Sequence, residues 1–229
     1  MHASSIVAMA ALWAGSATAA TNLVDNGSFE SPSHVGGGYV LYTSGSTAIT
    51  GWTVIGAAAE SIQLTPDTYL GLKASDGRQW IDMTGIYGYD KGLRSDSFAT
   101  VAGATYRVSF DIGNYLPFGR STVGVSLNGA PERSFTNISL AATATSPMNW
   151  AAFSFDWVAD ADSARISFLG RANGADSNNA GIGLDHVRVE LVEPTLPPVT
   201  AVPEPGTWAL MLGGLGATAL TVRRRRVGR

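Results

Sequence analysis

Residues 104–112 read Ala-Thr-Tyr-Arg-Val-Ser-Phe-Asp-Ile. Apolar side chains fall on every second position. Tyr106, Val108, Phe110 and Ile112 share one face, and Arg107, Ser109 and Asp111 share the other. Strict alternation of this kind marks a half-buried strand. It recurs as Phe153, Phe155 and Trp157 within 151–158, and as Ile166 and Phe168 within 163–169. Val123, Val125 and Leu127 form another run before the turn pair Asn128-Gly129, and 184–192 places Val187, Val189 and Leu191 inward. No stretch from Thr21 to Glu193 carries a helical period. About ten short strands separated by Gly, Asn, Asp, Pro and Ser predict an all-β fold, a single jelly-roll β-sandwich over 21–193; a barrel is the alternative closure.

Composition agrees. Only 14% of the 229 residues are charged, 45% are apolar and 27 are glycine, as expected of an exported β protein rather than a disordered chain. The absence of cysteine excludes a disulfide framework, a thiol nucleophile and a thiolate metal site. Five arginines lie at the extreme C-terminus, leaving ten basic against 18 acidic residues, a body at −8. Such a body excludes nucleic acid as a partner.

The two ends read as addresses. Residues 6–20 form an apolar run closing on Ala17-Thr18-Ala19, the small-residue pattern cut by signal peptidase, so 1–20 is expected to be a signal peptide. Its start lacks Lys and Arg; a buried N-terminal helix is the alternative. Residues 194–206 are proline-rich and extended. In 207–229, the apolar run 208–222 would span about 22 Å as a helix, short of the ~30 Å hydrocarbon core. A marginal transmembrane helix suits a transient stop, with Arg223, Arg224, Arg225 and Arg226 held in the cytoplasm. A permanent single-pass anchor is the alternative.

This tail, with Pro203, Glu204 and Pro205 ahead of the helix and the arginines, resembles the PEP-CTERM sorting signal of Gram-negative bacteria. The resemblance implies export through the inner membrane and transient anchoring by the helix. An exosortase-type membrane enzyme would process the chain and deliver it to the cell surface or extracellular matrix, usually in producers of exopolysaccharide.

The body carries its own motifs: Asn22-Leu-Val-Asp-Asn-Gly-Ser-Phe29-Glu30, Ile49-Thr-Gly-Trp52, Ala74-Ser-Asp-Gly77-Arg-Gln-Trp80-Ile-Asp82, Gly103-Ala-Thr-Tyr106 and Gly183-Leu-Asp185-His-Val. In order and spacing it resembles the galactose-binding-like jelly rolls. Within these it is closest to the choice-of-anchor proteins and the plant cell-wall family called domain of unknown function 642. Similar terminal motifs occur in carbohydrate-binding modules of bacterial glycanases. Those modules carry a structural calcium near the chain ends, which the resemblance places here on Glu30 and Asp185 with Glu60 as third ligand. Oxygen-only ligands suit Ca²⁺. His186, where relatives often have a second acid, is a departure. The alternative is that Glu30 and Asp185 accept backbone N–H bonds and bind nothing.

A sugar site needs flat aromatic surface and polar groups for hydroxyls. Two segments carry that chemistry: one with Tyr87, Tyr89 and Asp90, the other with Asn114 and Tyr115. The alternative is that these tyrosines cap the ends of the sandwich. Trp52 and Trp80 lie inside strand patterns and are expected in the core with Phe29, Phe98, Phe110, Phe155 and Trp157. No G-x-S-x-G, H-E-x-x-H, Walker or dinucleotide motif is present, and the acids are scattered singly. The expectation is an exported, non-catalytic surface protein that binds extracellular polysaccharide. A polyanion would be repelled by the acidic body, so a neutral glycan is favoured. A passive matrix protein is the alternative, and a glycan-acting enzyme a further one.

Overall fold

The computed structural model describes residues 20–34, 36–85, 88–115, 120–139, 148–171 and 181–192. The chain divides into two units, 1–192 and 193–229, and the described residues belong to the first. The leader, Tyr87, the Pro203-Glu204-Pro205 motif and the arginine cluster lie outside them.

The segment that decides the fold is strand β7 (Thr105–Tyr115). It lies in a six-stranded sheet in the order β1 (Val40–Thr43), β3 (Ser61–Pro66), β4 (Gln79–Asp82), β13 (Ile182–Leu191), β7, β10 (Met148–Val158). A five-stranded sheet has the order β2 (Trp52–Ile55), β5 (Lys91–Ser95), β12 (Ile166–Arg171), β8 (Ser121–Leu127), β9 (Arg133–Asn137). β6 (Phe98–Ala99) and β11 (Ser163–Ala164) form a short ribbon. Neighbouring strands are antiparallel, and the described residues contain no helix. This is the all-β sandwich that the alternation predicts.

The inner faces meet as the period-two pattern requires. Tyr106, Val108, Phe110 and Ile112 are buried against Val123, Val125, Ile166 and Phe168 of the opposite sheet. Phe110 lies at the centre of a ring cluster, edge-on to Phe135 and Phe168 at 5.2 Å each and stacked on Phe153 at 6.0 Å. Burying one such ring is worth roughly 1.5–3 kcal/mol. Trp52 packs on Phe29 at 5.2 Å, and its indole N–H donates to the Asn26 carbonyl at 3.1 Å.

Residues 22–27 fasten the body's ends together. The Leu23 amide donates to Val189 O, and the Asn22 side chain joins Val187 O, Val189 N and Val24 N. The Val187 amide donates to Gly27 O, and any side chain at Gly27 would collide with the Val187 carbonyl. Glycine is therefore required where the chain crosses β13.

Three expectations change. β7 and β10 each run 11 residues, longer than their alternation. Gly113 and Asn114 break the pattern but still pair with Trp150 and Asn149. Leu191 is 39% exposed at the end of β13 rather than inward. Trp80 is buried, but not in the sandwich core. It packs with Leu72 and Met148 in a second cluster, backed by Tyr69, Ala74, Tyr115 and Trp150. Ladder register places that cluster on the outer face of the six-stranded sheet, covered by the 67–78 loop.

Candidate functional site

Register fixes what the outer face presents. Opposed across five strands lie Gln63, Asp82, Gly183, Gly113 and Trp150. The neighbouring row has Thr65 opposite Trp80 and Asp185 opposite Asp111. The row on the other side of the first brings Tyr115 opposite Met148, with the Tyr115 amide donating to Gly181 O. The two central glycines leave a trough filled by the Trp150 indole. A methyl group at Gly113 or Gly183 would stand 2.9 Å from that ring. Trp150 meets Trp80 edge-on at 5.9 Å and donates to Lys73 O at 2.8 Å, so the 67–78 loop is stitched down over the face.

The loop contributes Tyr69, edge-on to Tyr39 at 5.3 Å. Burial raises the Tyr69 hydroxyl pKa, and the neighbouring Tyr39, Tyr115 and Asp82 add to it. A methyl group on Gly181 would lie 3.6 Å from Asp82 Oδ2 and 3.5 Å from the Tyr115 ring, so carboxylate and ring share one pocket. Asp82 Oδ1 accepts the Thr84 amide at 2.8 Å and its hydroxyl at 2.5 Å. Burial pushes Asp82 up to about 6, against the pull of the Thr84 hydroxyl and amide, the Ile182 amide and the more distant Lys91. Tyr39 is 39% exposed; Tyr69, Tyr115 and Trp150 are half-buried. The arrangement is an aromatic surface with a carboxylate set into it, the chemistry that stacks a sugar ring and takes up its hydroxyls.

Beside it, a cleft of about 390 Å³ is lined by Glu30, Ser33, His34, Asp67, Arg78 and Gln79. It lies next to the tyrosines in sequence: Thr68 precedes Tyr69 and donates to Gly36 O, and His34 Nε2 pairs with Gly38 O just before Tyr39.

The residues singled out in the sequence scatter. Tyr115 lies in the aromatic cluster. Tyr89 packs against the main core instead. Asp90, at positive φ, is ion-paired with Arg171, which Glu132 also holds. Asn114 is fully buried. Its amide donates to Asn137 O and Ser139 O, and its oxygen accepts the Ser121 amide, so it fastens strands and offers nothing to a ligand. Burial within a ladder was invisible in the string Gly-Asn-Tyr.

Of the acids assigned to calcium, Glu30 and Asp185 meet at one turn and Glu60 stands apart. Glu60 is 2.6 Å from the buried Lys91 ammonium. Asp185 Oδ2 accepts the Ser75 and Asp76 amides at 2.8 and 2.9 Å, and its Oδ1 accepts the His186 amide at 2.7 Å. Burial nevertheless pushes Asp185 up to about 8. Glu30 Oε1 accepts the Arg78 and Gln79 amides at 2.8 and 2.9 Å. Two carboxylates thus clamp one five-residue turn through four amides. Among the described residues no group of three or more His, Asp or Glu side chains converges.

The sequence reading passed over Tyr39, Tyr69, Trp150 and Asp82 as site residues. Asp82 had a signal. It shares a strand face with Trp80, so a polar group stands where an aromatic precedes it by two.

The family model for the protein of unknown function DUF642 matches residues 22–190, and that for the PEP-CTERM protein-sorting motif matches 201–226. No curated protein matches the chain. Among solved structures, the CBM22-1 xylan-binding domain from Paenibacillus barcinonensis is 14% identical, covering 68% of this chain and 94% of its own, with a TM-score of 0.40. A cyclase from Fischerella sp. TAU is 15% identical, covering 76% of this chain and 98% of its own, with a TM-score of 0.53. A Stig cyclase from the same source is 13% identical over the same shares, with a TM-score of 0.52. The likeness to the two cyclases is one of fold alone.

Proposed function

The chain belongs to the DUF642 family of proteins of unknown function, and from that premise we propose a non-catalytic, exported surface protein that binds extracellular glycan. It carries a PEP-CTERM sorting motif, which addresses it for export and for processing by an exosortase. The observation that carries the binding reading is the outer face of the six-stranded sheet. There Tyr69 and Tyr115 lie near Asp82, Tyr39 stands edge-on to Tyr69, and Trp150 packs in the same cluster, outside the sandwich core.

Stacking contacts are weak singly and tolerant of salt. The full chain should therefore be retained on an insoluble polysaccharide such as xylan, cellulose or galactan. The double variant Tyr39→Ala/Tyr69→Ala should lose retention by roughly tenfold, at about 0.5–1.5 kcal/mol per ring contact. Tyr39 is exposed and Tyr69 half-buried outside the sandwich core, so the far-UV spectrum should not change. Retention of the double variant equal to that of the wild type would move the site off this face. A wild type retained on no polysaccharide would leave the passive matrix role.

A further inference from the structure

Asp82 stands opposite Gln63 on one side and Gly183 on the other. The hydrogen bonds described for it come from neutral donors, the Thr84 amide and hydroxyl and the Ile182 amide. Among the described residues it makes no ion pair. Lys91, the cation whose charge reaches it, is held by Glu60 at 2.6 Å. Lys73, on the covering loop, is paired with Asp67. The connections 86–87, 116–119, 140–147 and 172–180 contain no Lys, Arg or His. The same face carries Asp111 beside Asp185, with Ser75 donating to Asp111 and His186 Nδ1 3.4 Å from it.

A carboxylate without an ion pair among the described residues, set in a partly desolvated aromatic pocket, prefers a positive guest. The negative faces of the rings and the anion act in the same direction on an ammonium group. The field of a body at −8 draws polycations towards it.

We infer that the glycan taken by this face is an amino sugar polymer, with a protonated primary amine bound at Asp82 between the rings of Tyr69 and Tyr115. The inference rests on the reading of this face as a glycan site and names the class of sugar. A neutral glycan, favoured by the sequence because the body repels polyanions, satisfies that charge argument no better than a cationic one. Only the cationic one compensates Asp82.

The test compares a glucosamine hexamer with an N-acetylglucosamine hexamer of the same linkage, binding the full chain in calorimetry at neutral pH. The amine form should bind roughly tenfold more tightly, as ion-pair and cation–π contacts of this kind provide. Added salt should erode that preference, and Asp82→Asn should bring the two affinities together. Tyr69→Leu keeps apolar bulk but removes the ring, and should narrow the ratio on its own if Asp82→Asn does not fold. Equal binding of both hexamers by the wild type, or preference for the acetylated one, overturns the inference and leaves the glycan reading intact. A preference for the amine that survives Asp82→Asn also overturns it. Binding of neither hexamer, together with no retention on neutral polysaccharide, removes both.

Discussion

Asp185 is completely buried, yet its carboxylate works through the backbone. It fixes the amides of Ser75 and Asp76, while Glu30 fixes those of Arg78 and Gln79 at the other end of the same turn. That turn anchors the loop that carries Tyr69 and covers Trp80. Asp185→Ala should therefore lower stability by roughly 1–3 kcal/mol, the cost of leaving such donors unpaired. Hydrogen exchange should quicken first at the Ser75 and Asp76 amides. A chelator should leave the melting curves of wild type and variant unchanged, because five backbone amides hold the two carboxylates. A melting temperature that drops in EDTA for the wild type alone would restore a bound cation at these acids.

At the scale of elements, β7 and β13 face each other through Gly113 and Gly183, and β10 lays Trp150 into the space they leave. Neither glycine is needed for a positive φ here. Each is needed because a Cβ would occupy the volume of the indole and of the Met148 methyl group. Gly113→Ala or Gly183→Ala should each cost about 1–3 kcal/mol by overpacking. Each should also lift Trp150 from the sheet, seen as a changed near-UV spectrum and weaker polysaccharide retention. An alanine at either position with unaltered melting and near-UV spectrum would show that the trough is not what positions Trp150. The same strands show where pattern reading stops. Alternation ends at Ile112, because Gly113 and Asn114 are neither apolar nor alternating, while the hydrogen-bonded ladder continues to Tyr115.

For the whole molecule, the sorting motif over 201–226 and the body over 22–190 are separate pieces of information, one for destination and one for fold. If an exosortase processes the chain near Pro203-Glu204-Pro205, protein recovered from the cell surface should lack Arg223 to Arg226. Intact-mass measurement on native material reads this directly. A mature mass that includes the arginine cluster would make the segment a permanent anchor instead.

The sequence by itself determined the fold class, because a period of two is a local property. Tyr106, Val108, Phe110 and Ile112 had to face one way, and turn residues had to punctuate the runs. It also determined the sorting address, which is written in contiguous residues. Only the tertiary structure assembled the candidate site. Asp82, Tyr115 and Trp150 share one sheet face because antiparallel register aligns positions far apart in the chain, and the segments beside the strands add Tyr39 and Tyr69. The same register buried Asn114, tied Asp90 to Arg171 and gave Glu60 to Lys91. A polar residue's partner is chosen by the neighbouring strand, and its own sequence neighbours do not specify that strand.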